Sequence, residues 1–303
     1  MAQRNVKDKI SPPESVELVL GGGGIKGFGH IGFLKAIEEK RVATGKVTGV
    51  SIGSAAAAFY TNGYSPEDFT EIFLREIANL SPVKGQRGVM VRDMLRGGIN
   101  LKRKFHDITV RYKLRPREEL RILAFNVLNG KPVLFEGTKY DLPTALAASC
   151  SVPGVMRPVW FGQDDMFSRL ATVINSWRGK TTKGILVDGG LHHPAPGHFC
   201  QGPAIISKLG IAKTMPAERL SPMDLVFHVL EMSAHRLVEW YFPDPKNHLV
   251  IKTGMPNVAA LTFGLSDELC LEMIAYAYRR TMRDLEPAIR SERVPVQSGK
   301  VRA

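Results

Sequence analysis

Cysteine is scarce in this sequence. Three residues in 303, Cys150, Cys200 and Cys270, are too few for a disulfide-stapled scaffold. An odd count without short spacing also speaks against a structural zinc site. Long apolar runs are missing too. No stretch reaches the roughly 18–20 residues that a membrane span needs. Met1 to Glu14 is polar and charged, without the apolar centre of a secretory leader. The expected compartment is therefore a reducing cytoplasm, with peripheral membrane contact. Acidic residues are in deficit: 29 Asp and Glu against 41 Lys and Arg leave a formal charge of +12. Such an excess suits an anionic partner, either nucleic acid or a phospholipid surface. What is present is ordinary for a folded chain, with 44% hydrophobic and 23% charged residues, which excludes global disorder.

Residues 1–15 read as a solvated lead-in. Val16 to Leu20 is an apolar run of strand length that ends in four glycines, Gly21 to Gly24. Phe28, Ile31, Leu34 and Ile37 then recur at helical spacing as far as Lys40. Val42 to Val50 carries a second strand signal, and Ile52 to Tyr60 an alanine-rich helix. This alternation belongs to an α/β protein with a parallel sheet. Residues 81–107 hold Lys84, Arg87, Arg92, Arg96, Lys102, Arg103 and Lys104 among several glycines, and read as loop-rich. Strands are expected at Leu120 to Asn126, Val133 to Glu136 and Gly184 to Val187, and a helix at Leu142 to Ser149. Met223 to Phe242 and Ser266 to Leu285 read as the last long helices. No linker separates two cores, so one catalytic domain is expected over 16–286, with a frayed polar tail over 287–303.

Two turns carry the chemistry. Gly22-x-Gly24-x-x-Gly27 follows a strand and opens a helix, as a dinucleotide fingerprint does. The acidic residue that should close the second strand is missing, because that strand ends Val47-Thr48-Gly49-Val50-Ser51. No Walker A sequence is present either. Gly49-Val50-Ser51-Ile52-Gly53 is G-x-S-x-G between strand and helix, the context of a nucleophile elbow. A helix N-terminus just after Ser51 would favour a developing oxyanion. A serine nucleophile needs a base. His192, His193, His198, His228, His235 and His248 are candidates without a motif of their own. Asp188 is better marked, since Val187-Asp188-Gly189-Gly190 closes a strand.

Leu18 to Gly27, Gly49 to Gly53 and Asp188-Gly189-Gly190 together resemble the patatin-like phospholipase family. The match extends through His30-Ile31-Gly32-Phe33-Leu34, Tyr60 to Pro66 and Ala147 to Pro158, and covers residues 16–196. The resemblance implies a three-layer α/β/α sandwich with a mainly parallel central sheet. It implies hydrolysis of fatty-acyl esters of phospholipids or lysophospholipids by a Ser–Asp dyad, without metal or cofactor. Ser51 is then the nucleophile, Asp188 the base, and Gly22, Gly23 and Gly24 the oxyanion loop. Lys26 stands where many members carry Arg. After the Asp-Gly-Gly the chain runs Leu191-His192-His193-Pro194, where members often have asparagines.

Three features remain. His192, His193, His198 and Cys200 match no common zinc spacing. Phe167, Leu170, Val173, Ile174 and Trp177 recur at helical spacing beside basic residues. They read either as an amphipathic lid that touches lipid or as a core-packed helix. The basic run with Lys102, Arg103 and Lys104 lacks the aromatics and modules of nucleic-acid binding. A face toward an anionic membrane is expected there. The competing readings of the whole chain are a nucleotide-dependent enzyme using the glycine loop and a non-catalytic binder of anionic membranes.

Overall fold

A computed structural model of the chain describes residues 14–77, 98–161, 184–210, 232, 247–258 and 265–297. Within them the chain runs β1 (Val16–Leu20), α1 (Phe28–Glu39), β2 (Thr44–Val50), α2 (Ile52–Thr61) and α3 (Pro66–Ile72). It continues with α4 (Leu101–Arg111), β3 (Leu120–Asn126), β4 (Lys131–Phe135), α5 (Leu142–Ser149), β5 (Val159–Phe161) and β6 (Gly184–Asp188). The last elements are β7 (Ala204–Lys208), β8 (His248–Lys252) and α6 (Asp267–Arg290).

The strands form one sheet in the order β5-β6-β3-β2-β1-β7-β8, with β4 also paired to β3. β1 to β2, β1 to β7, β2 to β3 and β7 to β8 are parallel pairs. Period-two alternation sorts the side chains onto two faces. Leu18, Leu20 and Ile205 join the main core with α1, α2 and α5, whereas Val19, Ala204 and Ile206 pack with Ala195 in a second cluster. This mainly parallel, open sheet with helices against it is the α/β/α architecture that the resemblance implies.

The pairing around β3 positions the site. β4 occupies one edge of β3 from Ile122 to Asn126. The other edge is shared by two strands in succession. β2 pairs with its first half, so that Val50 lies opposite Leu123. β6 arrives antiparallel on its second half and places Asp188 opposite Ala124. The C-terminal ends of β2 and β6 therefore meet head to head.

Several expectations differ from the described residues. Residues 101–107 are not loop but the start of α4. Leu101, Phe105 and Ile108 bury one face at helical spacing, and the Asn100 side chain accepts from the Lys102 amide at 3.1 Å. The glycines that suggested a loop all precede the helix. The domain boundary set at 286 falls inside α6, which continues through Pro287 to Arg290 because Leu285 and Ala288 are buried. The described chain beyond it, as far as residue 297, is docked. Val294 is buried, the Ala43 amide donates to the Pro295 carbonyl (2.9 Å), and the Gln297 amide donates to the Arg41 carbonyl (2.8 Å). Val42, read as strand, forms a lone bridge with Val296 ahead of β2. Of the helix expected over 223–242 only Met232 is among the described residues, and the segment 167–183, with Phe167, Leu170 and Trp177, lies outside them.

α1 and α6 cross at backbone contact. A Cβ on Gly32 would lie 2.0 Å from the Ile274 carbonyl oxygen and 2.8 Å from the Tyr278 amide nitrogen. Only glycine allows that approach, and overpacking of this kind costs about 1–3 kcal/mol. Gly32→Ala is expected to lower the unfolding free energy by that amount, read as a lower denaturant midpoint with an unchanged m-value. An unchanged midpoint would mean that the two helices part freely at this crossing.

Candidate active site

Ser51 leaves β2 with φ 53° and ψ −131°. A non-glycine residue held there is strained by about 1–3 kcal/mol and persists only when its surroundings over-determine it. They do so here. The Ser51 amide donates to Ser149 Oγ at 2.9 Å, and Ser149 Oγ donates onward to the Leu123 carbonyl at 2.7 Å. The Ser51 carbonyl accepts from the Ser54 amide (2.9 Å) and Ser54 Oγ (2.6 Å). Gly53 lets α2 begin against the end of β1, where a Cβ would lie 2.1 Å from the Leu20 carbonyl oxygen.

The three motifs converge. Ser51 Oγ donates to Asp188 Oδ2 at 2.6 Å. Asp188 Oδ1 accepts from the Gly190 amide at 2.7 Å, and the Asp188 amide donates to the Ser151 carbonyl at 2.9 Å. A Cβ on Gly22 would lie 3.3 Å from Ser51 Cβ and 3.4 Å from Gly190 Cα, so the glycine loop flanks the pair. Asp188 is only 2% exposed. Burial pushes its carboxyl up to about 7, although the bonds from Ser51 and Gly190 pull the other way. The same burial, with the charge of Asp188 added, raises the Cys150 thiol well above its ordinary range and leaves it a poor nucleophile.

The loop glycines divide. The Gly22 amide donates to the Pro194 carbonyl at 2.9 Å. The Gly23 and Gly24 amides have no acceptor among the described residues. Lys26 is buried and its ammonium donates to the Gly210 carbonyl. The Ser51 hydroxyl reaches Asp188 directly, without an imidazole between them. His192 instead stacks on Phe125 with ring centroids 4.6 Å apart, and His193 lies 4.6 Å from His198 by the same measure. His228 and His235 lie outside the described residues, and His248 sits on β8. No group of three His, Cys, Asp or Glu suited to a metal ion occurs among the described residues.

The sequence model of one protein family, Patatin-like phospholipase, matches residues 18–198. The chain belongs to the patatin-like phospholipase family. It is similar to Lysophospholipase NTE1 of Eremothecium gossypii, 43% identical over 56 residues, 18% of this chain. It is also similar to human Patatin-like phospholipase domain-containing protein 6, 54% identical over 52 residues, 17% of this chain. Those stretches span 4% of each relative's length. The solved structure of VipD from Legionella pneumophila is alike in fold, with a TM-score of 0.50 at 14% identity. That likeness covers 91% of this chain and 67% of the other.

Ser149, Ser151 and Ser54 escaped the sequence reading. Serines are too common for their types to mark them. The one available signal was that Ala147 to Pro158 is shared with the patatin-like family, without a role attached. In the fold, Ser149 Oγ holds the Ser51 amide and the Ser151 carbonyl holds the Asp188 amide, so the end of α5 and the turn that follows hold both partners.

The raised carboxyl makes a stability prediction. Between the unfolded value near 3.9 and the folded value of about 7, the unfolded chain has released a proton that the folded chain still holds. Stability therefore falls as pH rises through that window, and the full cost is present above it. Asp188→Asn removes the effect. Its stability relative to wild type should climb from pH 4 to pH 7.5, by on the order of 3–4 kcal/mol at most, and then level off. Parallel melting curves at all pH values would show that the carboxyl is not shifted.

Proposed function

We propose that the chain is a serine acyl-hydrolase that cleaves fatty-acyl esters of phospholipids or lysophospholipids through Ser51 and Asp188. The observation that carries this reading is the 2.6 Å hydrogen bond from a strained serine to a buried carboxylate. Ser51 Oγ attacks the ester carbonyl carbon while its proton passes to Asp188 Oδ2. The tetrahedral oxyanion accepts from the Gly23 and Gly24 amides, with the N-terminal end of α2 adding favourable potential. Collapse breaks the ester C–O bond, and the leaving alcohol takes the proton from Asp188. An acyl-serine remains. Water then gives a proton to Asp188 and attacks the acyl carbon, and the second collapse frees the fatty acid and returns the proton to Ser51.

A carboxyl near 7 suits this role. A base must be ionised at working pH yet hold a proton well enough to take one, and an ordinary carboxylate fails the second condition. The membrane reading draws support from α4. Lys102 and Arg103 are exposed and Lys104 half-buried in its first turn, and Val110, 64% exposed, follows on the face of Arg103. Asp107 shares that face, but the three consecutive cations outnumber it, and a basic first turn with an exposed apolar residue two turns on suits an anionic lipid surface.

Fatty-acid release from mixed phospholipid and lysophospholipid vesicles, with fluorophosphonate labelling, tests the reading. Ser51→Ala and Asp188→Asn should each lose at least about 10³-fold in kcat, and the double variant should be little worse, as expected of groups that act as a unit. The wild-type kcat/KM should rise with pH through about 7, because only ionised Asp188 accepts the proton. Labelling that persists in Ser51→Ala, or full activity in Asp188→Asn, would overturn the mechanism.

Charge reversal tests the surface. Lys102→Glu, Arg103→Glu and Lys104→Glu together should weaken binding to vesicles rich in phosphatidylserine by roughly 100-fold, at about 1 kcal/mol per basic residue. Binding to phosphatidylcholine vesicles should change little. Equal affinity of wild type for both vesicle types would return α4 to a plain solvated face.

A further inference from the structure

His30, in the first turn of α1, is fully buried and lies outside the Ser51–Asp188 pair. Its Nε2 is 2.8 Å from the Gly21 carbonyl oxygen, and its Nδ1 is 2.8 Å from Ser207 Oγ. A carbonyl oxygen only accepts, so Nε2 carries a proton. In the neutral ring Nδ1 then accepts, and Ser207 Oγ–H is its donor. Ser207 Oγ in turn lies 2.7 Å from Thr253 Oγ1, whose hydroxyl can donate back to it. Each proton in the chain Thr253, Ser207, His30, Gly21 is used once, and one tautomer satisfies every group. Burial favours that neutral form and takes the imidazole down to about 4, against the raising effect of the Gly21 carbonyl.

What the imidazole holds is the root of the glycine loop. The Gly21 carbonyl and the Gly22 N–H belong to one peptide unit. Its oxygen accepts from His30, and its N–H donates to the Pro194 carbonyl at 2.9 Å. The preceding amide, Gly21 N–H, donates to the Ser207 carbonyl at 3.1 Å. The plane of the Gly21–Gly22 peptide is thus pinned at both ends. The next two amides are those of Gly23 and Gly24. Four consecutive glycines have the widest backbone freedom available to a chain, so their amides keep a direction only if something outside the loop imposes it.

We infer that His30 is a positioning residue: through the Gly21–Gly22 peptide it orients the glycine-loop amides toward the oxyanion formed at Ser51. The inference rests on the hydrolase reading above and adds to it a buried residue that never touches substrate. Misdirecting an oxyanion donor leaves ground-state binding alone and weakens the transition state, so kcat should fall without KM. Complete loss of one donor costs about 10²–10³-fold. A loosened loop, whose donors are misaligned part of the time, should cost about 10–100-fold.

The test compares His30→Leu, His30→Gln and Ser207→Ala, with turnover of a soluble phenyl ester and amide hydrogen exchange at Gly22 as readouts. In His30→Leu, kcat should drop about 10–100-fold with KM within about twofold, and Gly22 exchange should speed up at least tenfold. The Gln side chain reaches far enough to donate to the Gly21 carbonyl, so His30→Gln should recover most of both losses. Ser207→Ala removes the partner of Nδ1 and should cost kcat severalfold. If His30→Leu does not fold, His30→Gln and Ser207→Ala carry the test. A kcat unchanged in folded His30→Leu, or His30→Gln as impaired as His30→Leu, would overturn the positioning role. Unchanged Gly22 exchange would overturn the clamp whatever the turnover. Absence of any Ser51-dependent turnover in the wild type would instead overturn the hydrolase reading, and the exchange result would still judge the clamp.

Discussion

The edge of β3 that β2 and β6 share is the constraint on which the site depends. A strand has two edges, and β4 fills one of them alongside Ile122 to Asn126. Along the other edge, β2 runs forward as far as Leu123 and β6 runs back as far as Ala124. Neither strand can continue without meeting the other. Both must leave the sheet within one residue, and the two residues that do so are Ser51 and Asp188. Their contact follows from strand register, with Val50 opposite Leu123 and Asp188 opposite Ala124. A slip of one residue in either pairing would turn one partner away.

That collision of strand ends also accounts for the two unfavourable features of the site. The turn out of β2 forces Ser51 to positive φ, and the turn out of β6 buries a carboxylate. Each is held by bonds from the same short segment. Ser149 Oγ caps the Ser51 amide, and the Ser151 carbonyl accepts the Asp188 amide. Ser151 Oγ donates back to the Ala147 carbonyl (2.6 Å), which fixes the segment to the end of α5, and lies 3.0 Å from the Arg157 carbonyl oxygen. The Arg157 amide donates to the Ile99 carbonyl, which ties this support to the entry of α4. Strain and desolvation at the two reacting groups are therefore balanced by a hydrogen-bonded frame that neither group supplies.

The legible parts of the molecule are those in which local sterics dictate residue type. A strand that turns into a helix over a strained serine needs small neighbours, so Gly49 and Gly53 stand out in the sequence. The glycine run after β1 and the Asp-Gly-Gly after β6 are visible for the same reason. Ser149, Ser151 and His30 act through contacts far along the chain, with ordinary residue types, and no spacing rule points to them. The partner of the Gly22 amide, Pro194, lies 172 positions away and has no sequence mark. Pro287 misled in the opposite direction. Proline is a sound signal for the end of a helix, but the buried Leu285 and Ala288 on either side outweigh one missing backbone bond. The loop reading of 101–107 weighed glycines upstream above the spacing of Leu101, Phe105 and Ile108.

A carboxylate in place of an imidazole changes what the rest of the site must do. When an imidazole takes the serine proton, a cation and an oxyanion appear together, and a third group is needed to hold the cation. In the reaction proposed here Asp188 begins as the anion and becomes neutral on taking the proton. The negative charge moves to the substrate oxygen and none is created. Burial penalises that charge while it sits on Asp188, which is why the carboxyl lies near 7. The same burial favours its transfer, provided that the destination offers better hydrogen bonds than the origin. At the origin the carboxylate has the Ser51 hydroxyl and the Gly190 amide. At the destination the charge meets the glycine-loop amides and the N-terminal end of α2. The reaction is then driven by the contrast between two anion sites a few ångströms apart. Such a contrast is worth most when the receiving dipoles are already aimed, because any reorganisation during the transfer is subtracted from it. A loop of glycines meets that condition only if its first peptide is held rigidly, which places the burden on the buried contacts of Gly21 and Gly22 rather than on the loop itself.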